Sequence, residues 1–175
     1  MRDRYVLDTN VLIAASAADP FHPKDIDATP ADPKQRMRVW QWLDSFQSSP
    51  SRMVLDLAGG IYGEYNNKLG FNDFGIQVVL HKWSTAAVDN VNVTYDEHGH
   101  GILQPPLRAV IHDDADKKMV AAALDSHNQY GEGCVAFAGD TDWHDWEADL
   151  LESSVLLEPI IEDWSRQKHA EKKAR

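Results

Sequence analysis

The chain has 175 residues, 43% apolar and 26% charged, the balance of one ordinary globular domain with room for a sizeable core. Its formal net charge of −11 argues against a whole-surface nucleic-acid binder, though not against an enzyme that meets a polyanion through local basic patches. A lone cysteine, Cys134, excludes a disulfide framework and reads as a small buried apolar residue; no run approaches membrane-spanning length and no basic segment leads into an apolar core, so a reduced, cytoplasmic protein is expected.

In chain order, residues 4–8 read as a short buried strand and 11–18 as a helix. Residues 19–33, with four prolines and several aspartates, read as an irregular loop. A helix is expected over 34–46, with Met37, Trp40 and Leu43 marking its apolar face. A second strand falls at 53–55. The next helix covers 61–69, where Ile61, Tyr65 and Leu69 recur every four residues and Gly70 supplies a stop. Another helix spans 74–84. Residues 91–95 alternate like a strand, and 96–106, with two glycines and two prolines, form a loop. A helix over 116–124 carries the stripe Met119, Val120, Ala123 and Leu124. A buried strand at 134–138, a helix at 143–151, a short strand at 155–157 and a terminal helix from 160 complete the chain. Strands alternate with helices and no linker divides them, which predicts one α/β domain over residues 1–175 with a mostly parallel central sheet and helices on both faces.

That architecture gathers acids. Ligands of open parallel sheets bind beyond the carboxyl ends of the strands. Asp8 ends the first strand, Asp140 follows the 134–138 strand by one glycine, Asp116 opens its helix, and Glu64 lies three residues after the apolar Ile61. All four can converge on one crevice, where crowded carboxylates call for a divalent cation to neutralise them. Mg²⁺ and Mn²⁺ take carboxylate oxygens, so Asp and Glu suffice as ligands, and such ions support phosphodiester hydrolysis. Asp142 is near enough in sequence to assist.

These segments resemble the PIN-domain nucleases. The resemblance rests on Asp8-Thr9-Asn10-Val11-Leu12-Ile13 after the opening strand, the mid-chain helix with Glu64, Asp116-Lys117-Lys118-Met119-Val120-Ala121-Ala122-Ala123, and the strand ending in Gly139-Asp140-Thr141-Asp142, in the family's order over residues 5–155. It implies a three-layer α/β/α sandwich, a Mg²⁺- or Mn²⁺-dependent phosphodiesterase, and RNA as the usual substrate, with single-stranded DNA as a second polymer. By the same resemblance Asp8, Glu64, Asp116 and Asp140 are metal ligands, Asn10 steadies the first loop, and Asp142 is an accessory acid. A toxin or effector role in a toxin–antitoxin or defence pair, an antitoxin-like protein partner and a homodimer belong to the same set of expectations. Ala138 departs from the Ser or Thr usual two residues before the fourth acid, and the loops at 19–33 and 96–106 look like insertions.

Plainer roles compete at each position. Asp8-Thr9-Asn10 can cap the following helix, as can Asp142, while Asp113 and Asp114 suit a helix start. Asp56 can stand at the mouth of the cleft. His98, Gly99, His100 and His112 lack the spacing of a zinc site. Trp143, Trp146 and Leu150 share a helical face that suits core packing, with an exposed tryptophan able to stack on a base. The basic residues Lys34, Arg36 and Arg38, and Arg166 through Arg175 in a basic C-terminal helix from about residue 160, are either substrate contacts or solvated faces. A phosphatase using Asp8 as nucleophile would want a second aspartate where Asn10 stands. The remaining alternative is a non-catalytic module of the same fold that binds RNA or a protein partner.

Overall fold

The computed structural model describes residues 1–20, 22 and 26–175, so part of the expected 19–33 loop lies outside the described residues. Five strands form one sheet: β1 (Arg4–Leu7), β2 (Arg52–Asp56), β3 (Val88–Val91), β4 (Cys134–Phe137) and β5 (Leu156–Pro159). Their order is β3-β2-β1-β4-β5 and every pairing is parallel, fixed by registers such as Arg4 with Arg52, Met53 with Val88, Leu7 with Ala136 and Cys134 with Leu156. The central strands read as continuous buried apolar runs, residues 5–7 in β1 and Cys134–Phe137 in β4, because both faces are covered there.

The covering helices are α1 (Thr9–Ser16), α2 (Pro33–Ser48), α3 (Gly60–Lys68), α4 (Phe74–Ser84), α5 (Leu107–Val110), α6 (Asp114–Tyr130), α7 (Trp143–Glu152) and α8 (Glu162–Lys173). Helices α1, α2 and α4 pack on one another, while α6 runs across β1 to β4 and α7 against β5, giving the three-layer α/β/α sandwich. Its core joins Tyr5, Leu7, Leu12, Leu43, Phe46, Met53 and Leu55 to Met119, Phe137, Trp143 and Trp146. Cys134 is buried among them. No helix among the described residues is long and apolar enough to cross a membrane.

Three local expectations change. The strand expected at 91–95 lies at Val88–Val91, because pairing with β2 from Met53 to Asp56 selects that stretch. The buried stripe of α2 is Val39, Leu43 and Phe46, with Met37 exposed and Trp40 half-buried. Gly70 is not the left-handed stop of α3; Leu69 closes that helix in an extended conformation, and the left-handed residue is Gly59, at its start. The described residues 96–106 carry no helix or strand, as expected, and the short helix α5 after them, from Leu107, adds an element to the reading.

Strand order decides where a ligand can enter. From β1 the chain builds outward through β2 and β3, then returns to place β4 on the other side of β1. The crevice between the carboxyl ends of β1 and β4 is therefore the switch point at which such sheets bind ligands.

Candidate functional site

Asp8 stands at that switch point. Its backbone N–H donates to the Ala136 carbonyl of β4 at 2.9 Å, so it continues the ladder by one residue while starting α1. Oδ1 accepts a long bond from the Asn10 N–H at 3.3 Å, a weak form of the expected cap. Oδ2 is buried and has no hydrogen-bond partner in the protein. Asn10 behaves as expected for a residue that steadies the loop: its Oδ1 accepts from the Gly139 N–H at 2.7 Å, tying the β1–α1 turn to the β4–α7 turn.

Asp140 follows Gly139, and its Oδ1 accepts from the Asp142 N–H at 2.9 Å, which fixes the carboxylate at the mouth of the crevice. Asp116 sits in the first turn of α6, which Asp113 caps by accepting from the Ala115 N–H at 2.8 Å. Asp116 is 7% exposed, and its Oδ2 is a second buried oxygen without a partner. Asp114 pairs with Lys117 rather than with the crevice.

Glu64 approaches from α3. Asp56 fixes the start of that helix by accepting from the N–H groups of Gly60 and Ile61 at 2.9 and 2.7 Å, so it is a helix cap. Tyr65 pins the helix to the sheet by donating its hydroxyl to the Leu7 carbonyl. The Glu64 carboxylate accepts from the Thr9 hydroxyl and lies 2.5 Å from the ammonium of Lys118.

The electrostatics show that these acids feel one another. Asp8 is pushed up to about 7 from an ordinary 3.8, chiefly by burial and then by the charge of Asp140, with Glu64 adding to the shift. Asp116 is pushed up to about 9 by burial first, then by Asp8 and Asp140, with smaller contributions from Asp113 and Glu64. Burial likewise raises Asp140, partly offset by the Asp142 N–H. Like charges in a desolvated space favour keeping protons, and strongly perturbed carboxylates in a cleft mark a functional site.

The donor chemistry suits a hard divalent cation: carboxylate oxygens at a strand-end crevice, two of them buried and unpartnered, on groups whose ionised form is disfavoured without a counter-charge. The spacing does not yet suit one. Among the described residues no three His, Cys, Asp or Glu side chains are gathered closely enough to hold a metal ion.

Some sequence readings gain different partners. Asp142 makes no side-chain cap at the start of α7; its carboxylate pairs with Lys172 of α8. Trp143 and Trp146 are 0% and 2% exposed, so neither offers a face to a base. The basic residues are largely engaged: Arg36 donates to the Ala28 and Pro30 carbonyls, Arg38 pairs with Asp163, Arg166 with Glu147 and Glu162, and Lys173 with Asp145. His98 and His100 lie beside Glu97, Asp96 and Asp114 on the surface.

Three residues of the site escape a reading of the sequence alone. Thr9 orients Glu64, Lys118 neutralises it, and the Trp143 indole N–H lies near enough to Asp8 to favour its ionised form. The Trp143 Nε1 nevertheless makes no hydrogen bond of ordinary geometry. Each approach depends on how separate elements pack, and no spacing along the chain encodes it.

Comparison with known protein families, with curated proteins and with solved structures gives no match to this chain.

Proposed function

We propose that this protein is a metal-dependent nuclease that hydrolyses phosphodiester bonds, with RNA as its substrate. The observation that carries the reading is the pair of buried, unpartnered oxygens on Asp8 and Asp116, on carboxylates raised to about 7 and about 9 at the switch point of the sheet. An acidic crevice of this kind costs stability and is expected where a cation is to be bound. The order of Asp8, Glu64, Asp116 and Asp140 along the chain, with its likeness to the PIN-domain nucleases, directs the reading toward nucleic acid.

Asp8, Glu64, Asp116 and Asp140 would hold Mg²⁺ or Mn²⁺, with Asp142 at the rim. The chemistry such an ion supplies when bound is activation of a water and neutralisation of charge at the phosphorus. The chain's own contributions are positional. Asn10 and Gly139 hold the Asp8 and Asp140 turns together, Thr9 aims Glu64, and Tyr65 anchors α3 to β1. Asp8 and Asp116 keep protons in the metal-free state and release them as a cation enters, so binding is expected to strengthen as pH rises. A toxin or effector role, and an antitoxin-like partner, rest on the resemblance alone.

The deciding experiment incubates labelled RNA and single-stranded DNA pools with Mn²⁺ and either wild type or Asp116→Asn. Wild type should cleave RNA, and the variant should fold and lose cleavage. Full activity in the variant refutes the role of Asp116; a wild type that cleaves nothing and binds no divalent ion refutes the nuclease.

One observation favours a second reading, a non-catalytic module that binds RNA or a protein. Lys118 and Lys172 already occupy Glu64 and Asp142, and no group of acids closes on a common point. A melting temperature unmoved by Mg²⁺ and Mn²⁺ would select it.

A further inference from the structure

We propose that Lys118 is the resident counter-ion of the crevice, holding Glu64 in the metal-free protein and competing with a divalent cation for that carboxylate. The inference rests on the metal-dependent reading above and adds the residue that controls access of the ion to one ligand.

Lys118 is 8% exposed, a rare degree of burial for a lysine and one that requires partners. Its ammonium has two: Glu64 Oε2 at 2.5 Å and the Ala115 carbonyl at 3.0 Å. The start of α6 is held from behind at Gly101, where a Cβ would come within 2.6 Å of the Lys118 Cα and N, so the backbone that carries Lys118 is fixed in place. Glu64, the partner of that ammonium, is in turn near enough to Asp8 and to the unpartnered carboxylate of Asp116 to raise both of them.

The pairing explains why these acids stand apart. Both Glu64 oxygens are engaged, Oε1 by the Thr9 hydroxyl and Oε2 by Lys118, so Glu64 is already neutralised and has no electrostatic reason to turn toward Asp8 or Asp116. A cation entering beside Asp8 and Asp116 can recruit Glu64 only by displacing the ammonium. A buried ion pair resists that exchange, since the charge left behind must find new partners. Lysine suits such a role better than arginine, because its charge is a compact point on a flexible stem able to withdraw along the cleft.

The test is Mn²⁺ binding, measured calorimetrically on the full chain without substrate, for wild type and Lys118→Met. Removing the competitor should tighten Mn²⁺ binding about tenfold or more, given the strength of close charge pairs. Equal affinities overturn the competition while leaving the metal reading intact, and weaker binding in the variant overturns it in favour of a lysine that shapes the site for the ion. A wild type that binds neither Mn²⁺ nor Mg²⁺ removes the metal reading itself. Should Lys118→Met not fold, the wild type answers alone. The side-chain ammonium signal of Lys118, observed by ¹⁵N NMR and assigned through Lys118→Arg, should shift or vanish as Mg²⁺ saturates the protein, and an unchanged signal at saturation overturns the proposal.

Discussion

Burial and the neighbouring charges of Asp8 and Asp140 favour the protonated form of Asp116 in the folded protein but not in the unfolded chain, and this sets a direction for stability. The folded pKa of Asp116, about 9, and that of Asp8, about 7, both lie above the ordinary 3.8. Between those values the folded state binds more protons than the unfolded state, so unfolding free energy falls as pH rises. The contribution is fully present below 3.8 and is lost progressively as pH rises, completely by about 7 for Asp8 and about 9 for Asp116. Asp116→Asn removes the largest part of this burden, and with it some of the repulsion felt by Asp8. Metal-free Asp116→Asn should match wild type at and below pH 3.8 and exceed it at pH 8 by about 1–3 kcal/mol, or on the order of 3–10 °C in melting temperature. Thermal unfolding at a series of pH values in chelator reads the gap. A gap that stays constant with pH would show that Asp116 is ionised in the folded protein.

At the scale of elements, the crevice depends on two turns held at a fixed separation. Gly139 comes so close to the 28–30 segment that a Cβ would meet the Thr29 carbonyl oxygen at 2.2 Å and the Asn10 Oδ1 at 2.7 Å. Backbone on one side leaves no flexible atom to yield. Gly139→Ala should therefore cost about 1–3 kcal/mol, and Asn10→Ala on its own, which strips the Gly139 N–H of its acceptor, about 1–2 kcal/mol. Since both act on one contact, the double variant should fall short of the sum in urea unfolding; additive losses would mean that the turns are held independently. Elements of this kind were only partly legible. Helix α4 lies at the bounds its sequence suggests, because its apolar residues and flanking turns agree. The third strand does not, because Val88–Val91 and the alternating stretch after it are equally strand-like, and the partner strand chooses between them. Gly70 has the composition of a helix stop without the geometry, since α3 ends in an extended residue that needs no glycine. At the site, the acids could be found because chemistry demands their residue type at strand ends. Lys118, Thr9 and Trp143 could not, because contacts between α6, α1, α7 and the crevice are made by packing.

For the whole molecule, a net charge of −11 meets a surface whose cations are mostly spoken for. Lys172, Lys173, Arg166 and Arg38 lean on acids of neighbouring elements, which leaves an excess of negative charge facing solvent and a compact state that repels itself. Any salt should then raise the melting temperature by screening. A cation bound in the crevice would add a separate increment: at one hundred times its dissociation constant it stabilises by about 2.7 kcal/mol, roughly 5–11 °C for a domain of this size. MgCl₂ and NaCl compared at equal ionic strength separate the two effects. Wild type at pH 8 should gain more from MgCl₂, and Asp116→Asn should respond to the two salts alike, because only the first has the carboxylate that a bound ion needs. Equal gains from both salts in wild type would mean that the acids act as a diffuse surface charge, and the crevice at the β1–β4 switch point would then belong to a binding module.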